Sequence, residues 1–273
     1  MQELIAPRYI QFLAQDWSII GTKQECAKSD ATANDLVEES LEVRQRRHRF
    51  LSKLARITGI SDVVLRNPST IRNTAVAQRM AWAAKRKTTR EEDLAYALLG
   101  LFGVSIPILY GEGLRKAFRR LQLEIIQMIP DQSIFIWCAD REQSGLLAQS
   151  PSDFINSGLP FTWSTNTITL QPYSMTNLGL LLNIPIFHSE NYSLLALRSW
   201  VEIDGVPHRV RLFVQKVRRI NTSGSQNQIY RRFYCNQFQL VDKMADRGER
   251  KDIYVLEDEQ YEHILWMDSS DKE

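Results

Sequence analysis

The sequence has few of the features that mark secreted, membrane or disulfide-linked proteins. Its 273 residues include three cysteines, Cys26, Cys138 and Cys235, and an odd, widely spaced set does not form a disulfide framework. No apolar run approaches the roughly 20 residues that cross a membrane as a helix. The opening residues show no basic segment followed by an apolar one, as a secretory signal would. We therefore expect a cytoplasmic protein in a reducing compartment, with no membrane partner.

Residue patterns that bind metals or perform catalysis are also scarce. The four histidines, at positions 48, 188, 208 and 263, lie far apart, and no Cys-x-x-Cys pair exists. Zinc needs three or four converging ligands, and no short segment supplies even two of them. A Gly-x-Ser-x-Gly turn, which marks many hydrolases, does not occur. The sequence therefore assigns no catalytic, cofactor-binding or metal-binding residue, and we expect no cofactor.

The nearest approach to a phosphate-binding loop is Gly111-Glu112-Gly113, followed by Lys116. This segment lacks both the Gly-Lys-Ser/Thr ending of a P-loop and the Gly-x-Gly-x-x-Gly spacing of a dinucleotide turn. We interpret the two glycines as a tight turn into a helix that begins at Leu114. Glu112 would then lie near the positive end of that helix.

Charge is distributed unevenly along the sequence, although the formal net charge is only +2. Residues 1–130 carry a net charge of +6 and residues 131–273 a net charge of −4. Between Arg44 and Arg90, thirteen lysines and arginines stand against a single acidic residue, Asp62. Such a stretch forms either a solvated or paired helix face, or a surface for nucleic-acid phosphates. No known nucleic-acid-binding motif accompanies it, so we favour the solvated face and keep nucleic acid as an alternative partner.

Apolar residues spaced three and four apart predict a helical region over residues 42–130. Its helices are expected at about 43–58, 70–87, 94–102 and 114–128, and Gly59, Gly103 and Pro130 are the expected stops. On the first helix, Val43, Phe50, Leu54 and Ile57 should form the apolar face. Thr89 and Glu92 have the spacing of a capping box at the third helix.

The pattern changes after Asp131 to short apolar runs separated by turn residues. Predicted strands lie at residues 133–138, 178–187, 192–198, 210–217, 231–240 and 253–256. We therefore predict an α+β fold, with a helical N-terminal half followed by a strand-rich, antiparallel C-terminal half. Residues 1–21 are expected to be extended and residues 22–40 to form a loop. The expected domains are residues 1–21, 42–130 and 131–273.

Three segments of the sequence match a known family. Residues 79–104 read RMAWAAKRKTTREEDLAYALLGLFGV, and residues 107–122 continue with PILYGEGLRKAFRRLQ. Shorter matches are the opening Leu4-Ile5-Ala6-Pro7, followed by Phe12 and Trp17, and the later Thr58-Gly59-Ile60. Together these segments resemble the fungal heterokaryon-incompatibility (HET) domain proteins. The resemblance is close over roughly residues 1–185 and loose thereafter.

The resemblance places these residues after the core domain of that family, on its C-terminal side. The core is thought to resemble TIR-type folds, some of which cleave NAD at a glutamate. Its diagnostic motifs come before the segment that Gln2–Pro7 resembles, so no residue here is matched to that glutamate. Residues 1–21 would be an extended remnant adjoining the missing core.

The resemblance thus implies a non-enzymatic module in fungal nonself recognition and incompatibility cell death, a form of innate immunity. Its expected partner is a protein, either the HET core domain or another effector module. Two alternatives remain open. One is an NAD-consuming hydrolase whose site the sequence does not reveal, and the other is a basic module that binds nucleic acid through Arg44–Arg90.

Overall fold

A computed structural model describes residues 2–7, 9–24, 41–157, 161–163, 173–217, 228–242 and 248–262. They belong to two compact units, residues 1–74 and 75–273. Helices dominate the N-terminal half and strands the C-terminal half, which confirms the predicted α+β class. The domain boundaries predicted from the residue pattern stay a prediction. No helix in the described ranges is long and apolar enough to cross a bilayer.

The first unit contains a β-hairpin and three helices. Its elements are α1 (Gln2–Ile5), β1 (Tyr9–Leu13), β2 (Ile19–Gln24), α2 (Leu41–Thr58), α3 (Asp62–Arg66) and a 3-10 helix (Pro68–Asn73). The predicted extended segment is therefore partly wrong, because Leu4 and Ile5 belong to a helical turn. The buried Lys23 stabilises that turn: its Nζ donates to the carbonyls of Leu4, Ile5 and Pro7 at 2.8, 2.6 and 2.9 Å. Strand β2 also extends three residues into the predicted loop, of which residues 25–40 lie outside the described ranges.

Strand β1 finds its partner within the same protein, since it pairs with β2 in an antiparallel hairpin. Phe12 on this hairpin packs against Phe50 of α2, with ring centroids 5.1 Å apart. Gly59, with φ of +73°, follows α2 at the predicted stop. Ile57, predicted on the apolar face, is 79% exposed. Leu51, which the predicted face left out, is buried instead, with 1% of its surface exposed.

The second unit begins with three short helices and one of 15 residues. They are α4 (Val76–Ala81), α5 (Asp93–Tyr96), α6 (Leu99–Phe102) and α7 (Leu114–Met128). The single helix predicted over residues 70–87 is wrong, because the backbone is extended at Thr74 and Ala75 before α4. The start of α4 is held from a distance in sequence. The buried Asp131 carboxylate accepts from Val76 N at 2.7 Å, and Ser133 Oγ accepts from Ala77 N at 3.1 Å.

Helix α7 has the predicted bounds, and its apolar face is buried at Phe118, Leu121 and Ile125. Helix α7 packs against α5, and Phe118 on its buried face contacts the ring of Phe154. The helix predicted over residues 94–102 is instead the two short helices α5 and α6. Gly103, with φ of +67°, ends α6 in the left-handed conformation expected of a glycine stop.

The strands of the second unit form one sheet. They are β3 (Gln143–Ser144), β4 (Phe161–Trp163), β5 (Ser174–Thr176), β6 (Gly179–His188), β7 (Ser193–Ile203), β8 (Val206–Lys216), β9 (Gln228–Phe233), β10 (Gln239–Asp242) and β11 (Glu249–Val255). The order β8-β7-β6-β11-β9 closes on itself, because β8 also pairs with β9. The described pairings are antiparallel except β11 with β9, which is parallel. Leucine, isoleucine and valine side chains of this closed ring form its core.

Two predicted strands have a different structure. Residues 133–138 form a 3-10 helix (Gln132–Phe135) and a buried, irregular segment rather than a strand. The guanidinium of the fully buried Arg232 donates to the carbonyls of Phe135 and Trp137, so a side chain takes the place of a neighbouring strand. The run predicted over residues 231–240 is divided between β9 and β10 by a turn at Tyr234, where φ is +48°.

Candidate functional site

The loop between α6 and α7, residues 103–113, lies within the segment that resembles the incompatibility proteins. Side chains from both flanking regions hold its backbone: Glu92 and Tyr96 from the α5 region, and Arg120 from α7. We refer to these three residues together with Glu112 as the polar clamp. Its hydrogen bonds account for the shape of the loop.

Glu92 binds the glycine turn. Its Oε1 accepts from Gly111 N at 2.7 Å and from Gly113 N at 3.3 Å. Both glycines have positive φ, +92° and +80°, a conformation that glycine adopts without the strain that a side chain adds. Hydrogen bonds from the backbone amides of Glu92 itself and of Gly111 lower the pKa of the Glu92 carboxyl below its ordinary value. The turn interpretation of Gly111-Glu112-Gly113 is confirmed, because α7 begins immediately after it.

The predicted capping box of Thr89 and Glu92 is wrong. Glu92 itself precedes the first residue of α5, and that helix start has no side-chain hydrogen bond as a cap. The neighbouring Thr88 hydroxyl donates to the carbonyl of Arg90. The Glu92 carboxylate points forward to the glycine turn because two converging amides are available there, whereas a capping box would offer it one.

Tyr96 and Arg120 hold the other half of the loop. The Tyr96 hydroxyl accepts from Leu109 N at 2.9 Å, and it lies 2.7 Å from Glu112 Oε1 and 3.0 Å from the Leu109 carbonyl. Arg120 pairs with Glu112 and donates to the carbonyl of Pro107 at 2.6 Å. Burial, followed by the hydrogen bond to Glu112, raises the pKa of Tyr96. The loop backbone is thus fixed at Pro107, Leu109, Gly111 and Gly113.

The side chains of the same loop point outward. Ile108, Leu109 and Tyr110 are 55%, 51% and 53% exposed. The guanidinium of the exposed Arg90 lies 4.3 Å from the ring centroid of Tyr110, whose hydroxyl donates to Asp93 at 3.1 Å. We call Ile108, Leu109, Tyr110 and Arg90 the loop surface. Rigid, exposed aromatic and arginine side chains are typical of protein-binding surfaces, because little entropy is lost when they are covered.

A second polar cluster lies where the backbone leaves β11. Glu257 is buried, and its carboxylate accepts from Leu146 N at 2.8 Å and Leu147 N at 3.3 Å. Asp258 accepts from Gly145 N at 3.0 Å and pairs with Arg231 at 2.9 Å. A pocket adjoins both carboxylates and is also lined by arginine and glutamine side chains, namely Arg115, Arg119 and Gln149.

Burial raises the pKa of the Glu257 carboxyl to about 7. A carboxyl with a raised pKa beside a polar pocket is a candidate general acid or base. Here, however, both oxygens accept backbone amides of the protein itself, so the group ties residues 146–147 to the end of β11. A side chain at Gly145 would overlap the Glu257 carboxylate, which fixes how closely these segments approach. Sequence reasoning missed this cluster, because the two carboxylates lie more than 100 positions from the backbone amides that they bind.

Some basic residues of the stretch Arg44–Arg90 are exposed in the structure, and others are paired or buried. Arg46, Arg49, Lys53 and Arg56 are exposed, and their spacing of three and four places them along one face of α2. Arg66 pairs with Asp62 at 3.1 Å. Arg79 is buried, with its guanidinium over the Phe102 ring. Nucleic-acid binding through the exposed face stays a prediction.

The residue types considered for metal binding and redox chemistry remain dispersed. Cys138 and Cys235 are free thiols, while Cys26 and His263 lie outside the described ranges. Among the described residues, no group of three or more histidine, cysteine, aspartate or glutamate side chains is placed to hold a metal ion.

Comparison with known proteins finds matches to part of the sequence. Residues 116–162 match a family described as a domain of unknown function, DUF8212. The chain is 38% identical over 125 residues to the vegetative incompatibility protein HET-E-1 of Podospora anserina. That alignment covers 46% of this chain and 7% of the relative, so the chain spans a small part of that protein. No solved structure matches. The resemblance to heterokaryon-incompatibility proteins is thereby confirmed for part of the sequence.

The first prediction concerns the polar clamp. Tyr96→Phe removes the hydroxyl that serves Leu109 and Glu112, so we expect the loop to open more often. A loss of about 1.4 kcal/mol corresponds to about ten-fold faster amide hydrogen exchange at Leu109. Tyr110→Phe is the matched control, since it removes only the surface bond to Asp93. Exchange measured by NMR should distinguish the two variants, and equal rates at Leu109 would contradict the clamp.

The second prediction concerns the pH dependence of stability. The pKa of Glu257 is about 7 in the folded protein, above its ordinary value of 4.5, so the folded state binds the proton more tightly. Its contribution to the free energy of unfolding is therefore full below pH 4.5 and is lost as the pH rises through 7. This loss amounts to about 3 kcal/mol.

Glu257→Gln should remove this part of the pH dependence, because the amide does not titrate. The measurement is urea unfolding at about pH 5, 6 and 7.5. Glu262→Gln, at an exposed neighbouring position, is the control and should retain the slope of the unaltered protein. If Glu257→Gln retains that slope as well, the carboxyl titrates in its ordinary range and the expected coupling is absent.

Proposed function

We propose that the chain is a non-enzymatic module of a HET-type protein, located after the core domain of that family, which acts in fungal nonself recognition and incompatibility cell death. The observation that carries the proposal is the 38% identity over 125 residues to a vegetative incompatibility protein. Because the chain spans 7% of that relative, the proposal concerns this segment alone. The partner would be another protein, either the HET core domain or a further effector module, in the cytoplasm.

The hydrogen bonds of the polar residues in the segment that resembles the incompatibility proteins support this proposal. Glu92, Tyr96 and Arg120 direct their hydrogen bonds to the backbone of the loop between α6 and α7. The Glu112 carboxylate accepts hydrogen bonds from the Tyr96 hydroxyl and the Arg120 guanidinium. These groups therefore shape a rigid loop rather than face a substrate. The exposed side chains of that loop are the ones left to contact a partner.

Genetic replacement in the fungus that encodes the protein tests the role in incompatibility. We expect deletion of its coding segment to change the reaction with at least one tester strain. The readouts are barrage formation and vital-dye uptake in fused cells. Replacement by the unaltered, epitope-tagged segment controls for the manipulation and should leave every reaction as it was. Unchanged reactions of the deletion strain with all testers would overturn the proposed role.

Incubation with NAD tests the non-enzymatic part of the proposal. Because no residue of the sequence matches the family's glutamate, we expect nicotinamide release no greater than that of the boiled protein. The alternative, an NAD-consuming hydrolase, predicts turnover that a single substitution of a glutamate or aspartate abolishes. Observation of such turnover would replace the proposal by that alternative.

A further inference from the structure

The β1–β2 hairpin of the first unit ends in an exposed apolar cluster. Trp17 is 81% exposed, and Ile19 and Ile20 are 62% and 60% exposed. Leu13, which pairs with Ile19 across the hairpin, is exposed as well. Isolated exposed apolar residues are normal, whereas neighbouring ones mark a contact site. We call Leu13, Trp17, Ile19 and Ile20 the hairpin tip.

The fold itself gives no reason for a tryptophan at position 17. Its φ of +64° lies in the left-handed region, where a bulky residue is strained and glycine is not. The turn is ordered nonetheless, because Ala14 N donates to the Ser18 carbonyl at 2.8 Å and Trp17 N donates to the Ala14 carbonyl at 3.0 Å. Because Trp17 combines backbone strain with an exposed ring, a contact outside the fold accounts for it better than stability does.

A row of basic side chains lies beside the hairpin tip. On α2, Arg46 and Lys53 are located one turn before and one turn after Phe50 on the same side of the helix. Phe50 contacts Phe12 of the hairpin, so the two cations flank the place where the hairpin packs. Exposed basic residues at spacings of three and four form this row, which we call the basic stripe: Arg46, Arg49, Lys53 and Arg56.

The cations of the basic stripe are available for a partner. Within the described part of the chain, none of the four forms an ion pair, whereas Arg66 of the same unit pairs with Asp62. Asp16 is the acidic residue next to the hairpin tip. Its carboxylate already accepts hydrogen bonds from Ser18 N at 3.1 Å and from Ser18 Oγ at 2.7 Å.

We propose that the hairpin tip and the basic stripe bind the surface of a membrane that contains anionic phospholipids. Tryptophan and isoleucine side chains enter the boundary between headgroups and acyl chains, while lysine and arginine side chains remain at the negatively charged headgroups. The sequence predicts no membrane partner, because no segment is long enough to span a bilayer. This contact corrects that expectation, since binding to a surface needs no spanning segment. It goes beyond the proposed function and does not depend on it.

A nucleic acid fits the same surface less well. Its phosphates would attract the basic stripe, and a base would stack on the ring of Trp17. The aliphatic side chains of Ile19 and Ile20, and of Ile57 one turn beyond Lys53, would find no apolar partner along a phosphate backbone. Acyl chains of a lipid would cover all three, which favours the membrane.

Binding of the full-length chain to lipid vesicles tests the proposal. Flotation with phosphatidylcholine vesicles that contain about 30% phosphatidylserine should show binding that decreases as salt rises from about 0.1 to about 0.5 M. Vesicles of phosphatidylcholine alone should bind at least about ten-fold more weakly. Tryptophan fluorescence should shift to shorter wavelength on binding. Trp17→Phe should bind nearly as well but without this shift, which identifies the hairpin tip as the part that enters the lipid.

Two charge-reversed variants separate the basic stripe from net charge. Arg49→Glu combined with Lys53→Glu should weaken binding to the anionic vesicles at least about ten-fold. Lys85→Glu combined with Lys87→Glu makes the same change in net charge at exposed positions of the other unit, and it should weaken binding far less. Equal losses in the two variants would overturn the proposal, because net charge alone would then account for binding.

A second pair of variants tests the hairpin tip. Trp17→Ser should weaken binding about ten-fold, while Ile108→Ser, at an exposed position of the other unit, should leave it unchanged. Far-UV circular dichroism checks that each variant is folded. The proposal is overturned if the unaltered protein does not bind anionic vesicles or if Trp17→Ser binds as it does. Binding to a DNA duplex without binding to vesicles would assign the basic stripe to a nucleic acid instead.

Discussion

The contact between the Glu92 carboxylate and the amides of Gly111 and Gly113 determines how the most distinctive part of the protein is arranged. Without it, the loop between α6 and α7 would be a connection whose glycines favour many conformations. With it, the loop returns to the start of α5, and Tyr96 and Arg120 can reach Leu109 and Pro107. The turn also sets the direction in which α7 begins, and α7 packs on α5.

Hydrogen bonds from charged side chains to the backbone occur elsewhere in the molecule as well. At these places a charged side chain, rather than a neighbouring helix turn or strand, is the partner of the backbone group. Lys23 binds three carbonyls beside α1, Asp131 caps α4, Arg232 binds the segment before Cys138, and Glu257 binds two amides of another segment. All four side chains are buried. A buried charge is costly without partners, and an unpaired backbone group is costly as well. Each contact satisfies both requirements at once.

These contacts also explain which parts of the fold the sequence predicts. Helix α7 and strands β6–β8 were predictable because their apolar residues follow the period of one element over many residues. The helix expected over residues 70–87, the strand expected over residues 133–138 and the capping box at Glu92 were wrong. In each case a side chain between about 20 and 100 positions away forms the decisive hydrogen bond. Local spacing carries no information about such a contact.

In the candidate site too, the local sequence pattern indicates one thing and the contacts in the folded protein show another. The motif around Glu92, Tyr96 and Glu112 resembles that of incompatibility proteins, and the structure uses these residues to hold the backbone. The exposed Ile108 and Leu109 side chains lie between them in the motif, and Tyr110 beside them contacts Arg90, Asp93 and the ring of Tyr96. A rigid loop fixes the direction of its side chains, so a change in those side chains alters the surface without disturbing the fold. The exposed side chains of Ile108 and Leu109 can therefore vary while the polar clamp stays the same.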